Sequence, residues 1–101
     1  MEIENKYIPA NIYGIHKWID VSEPNAVKEL CLDCLEKSGY LAIGFLEQHF
    51  PNGGYTALWL LAESHLAVHT FPESKATYLE LSGCNESKTE AFKSALENYP
   101  Y

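Results

Sequence analysis

Residues 62–73, AESHLAVHTFPE, place an acid, a serine and two histidines in a stretch whose apolar residues otherwise alternate. Glu63, Ser64, His65 and His69 are residue types that serve as acids, bases and nucleophiles. A hydrolytic Ser64–His69 pair lacks both a G-x-S-x-G elbow and a recognisable orienting acid. A metal shared by His65 and His69 requires helical stacking. On a strand rising ~3.3 Å per residue the two stand ~13 Å apart, too far for one ion with ligands near ~2 Å. His16 and His49 add no ligand spacing, so no metal is expected.

A third chemistry uses the same residues better. A serine hydroxyl in a strained turn can attack its own preceding carbonyl, here that of Glu63, moving the acyl group from nitrogen to oxygen. Loss of the Ser64 α-proton then eliminates the ester, breaks the chain and leaves a dehydroalanine that hydrolyses to a pyruvoyl group. The step needs a tight junction, a nearby base and an oxyanion donor. Ser64 at a strand-to-strand junction, with His69 further along the next strand, meets these requirements in sequence.

The surrounding elements must hold that junction. "YIPANIYGI" (7–15) reads as a first strand, with Pro9 at an edge or early position. "VSEPNAVKELCLDCLEKSG" reads as a helix capped by Ser22, with Pro24 in its first turn and Gly39 at its end. Val27, Leu30, Cys31, Cys34 and Leu35 form its buried stripe, so the C-x-x-C of Cys31 and Cys34 reads as core packing. Segments 40–50, 55–62, 65–71 and 76–82 follow as strands separated by turn-prone PNGG, the Glu63–Ser64 junction and PESK. A last helix opens on a capping box, Ser87 with Glu90, and carries Phe92, Ala95, Leu96 and Tyr99 on its apolar stripe. The order β-α-β-β-β-β-α predicts an α+β fold, a two-layer sandwich of mainly antiparallel sheet with two helices on one face. On 65–71, Leu66, Val68 and Thr70 should face the helices. His65, Ala67, His69 and Phe71 should face the open side, the expected site or dimer face.

With 101 residues, 47% of them apolar, the chain suits one domain, 1–101. No apolar run approaches the roughly 20 residues of a membrane span, and the acidic start is unlike a secretory signal. A net charge of −7 argues against nucleic acid or an anionic membrane as partner. Three cysteines do not make a disulfide framework, and a cytoplasmic location is expected.

The motif ESHLAVHTFPE followed by SGC resembles the proenzyme motif of the short bacterial S-adenosylmethionine decarboxylases, close to E-S-H-x-x-I-H-T-W-P-E with a later cysteine. The resemblance extends upstream through HFPNGGYTALWLLA, and more loosely to YIPANIYG and SGY. It implies self-cleavage between Glu63 and Ser64, with a covalent pyruvoyl cofactor generated from Ser64. It implies that Thr56 and His69 assist processing, and that Cys84 is the catalytic acid that reprotonates the decarboxylated carbon. Phe50 and Phe71 would clamp the adenine and sulfonium of S-adenosylmethionine, and Glu73 would hold the ribose. The family's fold is an α/β sandwich that dimerises with active sites near the subunit interface, so a homodimer serving polyamine (spermidine) synthesis is implied.

An aromatic face attracts a sulfonium, and a neutral thiol has a proton to give. This sequence departs from the family pattern at Phe71 (tryptophan), Thr56 (serine) and Asn85 (glycine). The departure at Phe71 keeps open a pyruvoyl-dependent decarboxylase of ornithine or arginine. An unprocessed relative that binds a ligand or partner is the non-enzymatic alternative.

Overall fold

The computed structural model describes residues 11–101, together with the backbone of a short strand at Glu2–Glu4. Six strands form one antiparallel sheet in the order β1-β2-β6-β5-β4-β3. They are β1 (Glu2–Glu4), β2 (Asn11–Ile19), β3 (Ala42–His49), β4 (Tyr55–Leu61), β5 (Ser64–Phe71) and β6 (Ala76–Gly83). Helices α1 (Pro24–Lys37) and α2 (Glu86–Glu97) pack on one face of it, completing the two-layer sandwich.

Strict alternation decides which side chains face the helices. Tyr55, Ala57, Trp59 and Leu61 of β4, Leu66 and Val68 of β5, and Leu79 and Leu81 of β6 are buried. They meet Val27, Leu30 and Cys31 of α1 and Phe92 and Leu96 of α2. Each buried leucine, valine or phenylalanine among them contributes about 1.5–3 kcal/mol relative to exposure. Cys31 and Cys34 belong to this core. Burial pushes the Cys34 thiol up to about 11, and the Cys31 thiol is raised by burial and by its neighbour Cys34.

Three local expectations are corrected. The strand expected at 7–15 runs instead from Asn11 to Ile19, because Ile15 and Ile19 continue the inward alternation against the core; positions 7–10 lie outside the described residues. The cap of α1 is Glu23 rather than Ser22: its carboxylate accepts from the Ala26 N–H at 2.8 Å, directly before Pro24. The cap of α2 is Asn85 rather than Ser87. Asn85 leaves β6 in an extended conformation and accepts from the Lys88 N–H at 3.0 Å, which brings Ser87 inside the first turn as a donor to Asn85 Oδ1. Gly39 terminates α1 as expected, at φ +82°.

Among the described residues no helix or strand covers the other sheet face. Gly14, His16 and Trp18 of β2 lie opposite Ser82, Glu80 and Tyr78 of β6. Those in turn lie opposite His65, Ala67 and His69 of β5. Leu58 and Leu60 of β4 and Leu46 of β3 extend this face as an exposed apolar strip.

Candidate active site

The β4–β5 hairpin carries both groups of candidate residues, at its two ends. Leu61 pairs with Ser64, so the connection is the two-residue loop Ala62–Glu63. Glu63 has φ +56°, the left-handed region, at the loop position where glycine is normally required. A glutamate there costs about 1 kcal/mol, and such turns splay rather than match twisted strands. The Glu63–Ser64 peptide bond therefore joins a strained turn residue to the first residue of a strand.

Ser64 points to the helix side and is buried, and its hydroxyl has no hydrogen-bond partner among the described residues. It packs against the end of β6. A Cβ at Gly83 would overlap Ser64 Oγ, lie 3.1 Å from Ser64 Cβ and come within 3.3 Å of the Tyr40 hydroxyl. Tyr40 is itself fixed by an O–H···O contact with Thr89 at 3.3 Å. Cys84 follows Gly83, is exposed, and donates through Sγ to Glu63 Oε2 at 3.6 Å. Glu63, Ser64 and Cys84 thus form one cluster, with Gly83 and Tyr40 as its inner wall. Gly83 and Tyr40 are visible in sequence only as the middle of SGC and the end of SGY. Nothing in either triplet announces that the two approach the serine.

The second cluster lies at the opposite end and on the opposite face. Thr56 pairs with His69, and Thr56 Oγ1 lies 3.0 Å from His69 Nδ1. Phe50, Asn52, Gly54, Tyr55, Phe71 and Glu73 join them around a cleft of about 440 Å³. The Tyr55 N–H donates to Thr70 Oγ1 at 2.8 Å, locking the cleft floor across the two strands. Tyr55 also donates its hydroxyl to Glu47 Oε1 at 2.6 Å, and Lys28 Nζ stands 3.4 Å from Glu47 Oε2. That hydrogen bond from Tyr55, helped by Lys28, holds the Glu47 carboxyl below its ordinary range. Burial, and then Glu47, push the Tyr55 phenol up.

Ser64 and His69 are five residues apart on one strand, about 16 Å at ~3.3 Å per residue, and the odd spacing turns them to opposite faces. The structure joins Thr56 to His69 and gathers Phe50, Phe71 and Glu73 around them. It does not bring His69 to Ser64 within one chain. It also adds a residue that sequence reading did not single out. Trp18 of β2 stands 5.5 Å from Phe71 and 5.4 Å from Tyr78, ring centre to ring centre, and is largely exposed. An indole thus lies beside the position where the motif has its tryptophan, supplied from another strand.

The chain is thus a two-layer α+β sandwich of antiparallel sheet and two helices, with a serine at a strained hairpin corner and a thiol beside it. The sequence profile described as S-adenosylmethionine decarboxylase matches residues 6–99, and the chain belongs to that family. It is 30% identical over 99 residues to an S-adenosylmethionine decarboxylase proenzyme of Archaeoglobus fulgidus, covering 96% of this chain and 88% of that protein. A protein of the same description from Brevibacillus brevis is 30% identical over 82 residues, 81% of this chain and 61% of its own length. The fold is that of the crystallised adenosylmethionine decarboxylase from Aquifex aeolicus VF5. The TM-score is 0.67 over 84% of this chain and 72% of that one, at 19% identity.

Proposed function

We propose that this single domain, 1–101, is a pyruvoyl-dependent decarboxylase of S-adenosylmethionine that matures by breaking its own Glu63–Ser64 bond. Its product is the aminopropyl donor for polyamine (spermidine) biosynthesis. The observation that carries the reading is the hairpin corner, where Ser64 Oγ, without a hydrogen-bond partner among the described residues, follows a left-handed Glu63 in a chain of this family.

The chemistry of maturation uses this chain's own atoms. Ser64 Oγ attacks the Glu63 carbonyl carbon, and the hydroxyl proton passes to the departing amide nitrogen, which leaves an ester. Removal of the Ser64 α-proton expels the Glu63 carboxylate. The resulting dehydroalanine takes up water and releases ammonia, which leaves the pyruvoyl group at the new N-terminus. The strain at Glu63 is relieved as the bond breaks, which favours the first step. The pyruvoyl group supplies the electron sink that a departing CO2 requires. Cys84 provides the proton that replaces CO2. Phe50 and Phe71 flank the cleft that holds the adenine and the cationic sulfur, and Glu73 reaches the ribose hydroxyls.

The distance between Ser64 and His69 supports a homodimer. Thr56 and His69 of one protomer serve Ser64 of its partner, with the exposed Leu46, Leu58, Leu60, Trp18 and Phe71 supplying apolar contact area. No helix among the described residues is long and apolar enough to cross a membrane.

Intact-mass measurement of the purified protein tests the proposal. The expected result is two fragments, residues 1–63 and 64–101, the second without a free amine. Ser64→Ala should remain whole and release no CO2 from S-adenosylmethionine. A wild-type chain that stays uncut on prolonged incubation overturns the reading and leaves a ligand-binding relative. Cleavage with CO2 released only from ornithine or arginine transfers the chain to another substrate.

A further inference from the structure

The wall beside Ser64 carries a hydroxyl that the chemistry above leaves idle. Two of the three atoms nearest the place a Gly83 Cβ would take are hydroxyl oxygens, Ser64 Oγ and, at 3.3 Å, Tyr40 Oη. The two hydroxyls therefore face each other over a residue of β6 that has no side chain. Tyr40 is held there because α1 ends at Gly39 in the left-handed region and the Tyr40 N–H returns to the Leu35 carbonyl at 3.0 Å. Its side chain is buried, with Lys88 Nζ 5.6 Å from the ring centre.

Thr89 fixes the direction of the Tyr40 hydroxyl. A carbonyl cannot donate, so the 2.8 Å contact from Thr89 Oγ1 to the Asn85 carbonyl commits the one proton of Thr89. Across the 3.3 Å contact between Tyr40 and Thr89 the phenol is then the donor. The Tyr40 oxygen keeps lone pairs with no donor among the described residues. Opposite it stands a serine hydroxyl with a proton and no acceptor among them. The unmet donor and the unmet acceptor are neighbours.

We propose that Tyr40 is a positioning residue for self-cleavage. Its oxygen accepts a hydrogen bond from the Ser64 hydroxyl, directly or through one water, in a chain running from Ser64 to Tyr40 to Thr89 to the Asn85 carbonyl. The effect on cutting rests on the proposed function; the hydrogen-bond chain does not. With the Ser64 proton turned toward Tyr40, a lone pair of Oγ is left for the Glu63 carbonyl carbon. The balance of the first step is unchanged. Oγ bonds to that carbon, the carbon–nitrogen bond opens, the hydroxyl proton ends on nitrogen, and Tyr40 loses no proton. Thr89 sets the sense of the whole chain. Without its oxygen the Tyr40 proton is released toward Ser64, where it occupies the lone pair that must attack.

The rate at which fragment 64–101 appears in intact-mass spectra tests this. Tyr40→Phe keeps the ring and removes the acceptor, and cutting should slow about tenfold. Thr89→Val should slow it at least as much. Thr89→Ser, which restores the oxygen, should cut at close to the parent rate, a rescue that packing alone would not give. Parent-like cutting in Tyr40→Phe, or equal rates in Thr89→Val and Thr89→Ser, overturns the proposal. A double-mutant cycle reads the hydrogen bond without any cutting. In a His69→Ala chain, expected to stay whole, Tyr40→Phe and Ser64→Ala together should lower stability to urea by less than the two separate losses added. Additive losses overturn the proposal. Should Tyr40→Phe fail to fold, the two Thr89 variants decide. A wild-type chain that never cuts removes the proposed function, and the cycle, run on that chain with His69 intact, still decides the hydrogen bond.

Discussion

The two ends of the β4–β5 hairpin are built on opposite principles. At the corner, Glu63 holds a backbone conformation suited to glycine, and Ser64 packs against Gly83 with no hydrogen bond from its hydroxyl among the described residues. At the open end, Thr56 and His69 satisfy each other at 3.0 Å, and Tyr55 is tied to Thr70 and Glu47. One end stores strain beside a bond that the proposed chemistry breaks. The other is relaxed and fixes the His69 imidazole against Thr56. Within one chain the two never meet, so the reagent and its assistant are separated by the geometry of a single strand. In the proposed reaction a second protomer therefore supplies His69.

The strongest way to break this contrast is genetic complementation. His69→Ala and Ser64→Ala chains should each stay uncut when made alone. Made together in equal amounts they pair at random, so about half of the His69→Ala chains sit beside an intact His69 and should cut. Intact mass of the tagged chains reads the result. No cutting in the mixture would place both groups in one protomer or remove His69 from the reaction. Gly83→Ala comes next. The added Cβ overlaps Ser64 Oγ and crowds Tyr40, so cleavage should slow by at least about a hundredfold while the helix content by circular dichroism persists. Normal cleavage in that variant would show that the packing of Ser64 against Gly83 is irrelevant.

The smallest effect concerns the relaxed end. The Glu47 carboxyl is held below its ordinary range, chiefly by the Tyr55 hydroxyl, so its contribution to stability is full above the unfolded carboxyl's pKa and is lost as pH falls through the lower folded value. Thermal melts should therefore show Glu47→Gln less stable than the parent at pH 7, the gap closing as the solution is acidified below the ordinary glutamate range. A gap of constant size would show that Glu47 acts by packing rather than by charge.

Much of this arrangement was legible from residue order. The alternation in HLAVHTF places Leu66 and Val68 inward and His65 and His69 outward because successive strand residues must point to opposite faces. The same parity already separates Ser64 from His69, since five is odd. Sequence reading nevertheless took the nearness of Ser64 and His69 along the chain for nearness in space. The caps of both helices were misplaced by one or two residues. Serine, glutamate and asparagine all accept N-terminal N–H groups, and the exit direction of the preceding segment chooses among them. Trp18 was passed over because nothing local links β2 to Phe71; β6 intervenes, and only the sheet order brings the rings together.

Residue types and their spacing along the chain determined the α+β class, the buried stripes, the reactive junction and the family motif. These depend on local periodicity and on side-chain chemistry, which a chain carries with it before it folds. Tertiary structure decided what approaches the serine: the absence of a side chain at Gly83, the Tyr40 wall, and the thiol resting on Glu63. It also decided that His69 lies out of reach of Ser64 within one chain. Contacts between residues 19 or more apart exist only once strands are paired in register, and that register is a property of the whole sheet.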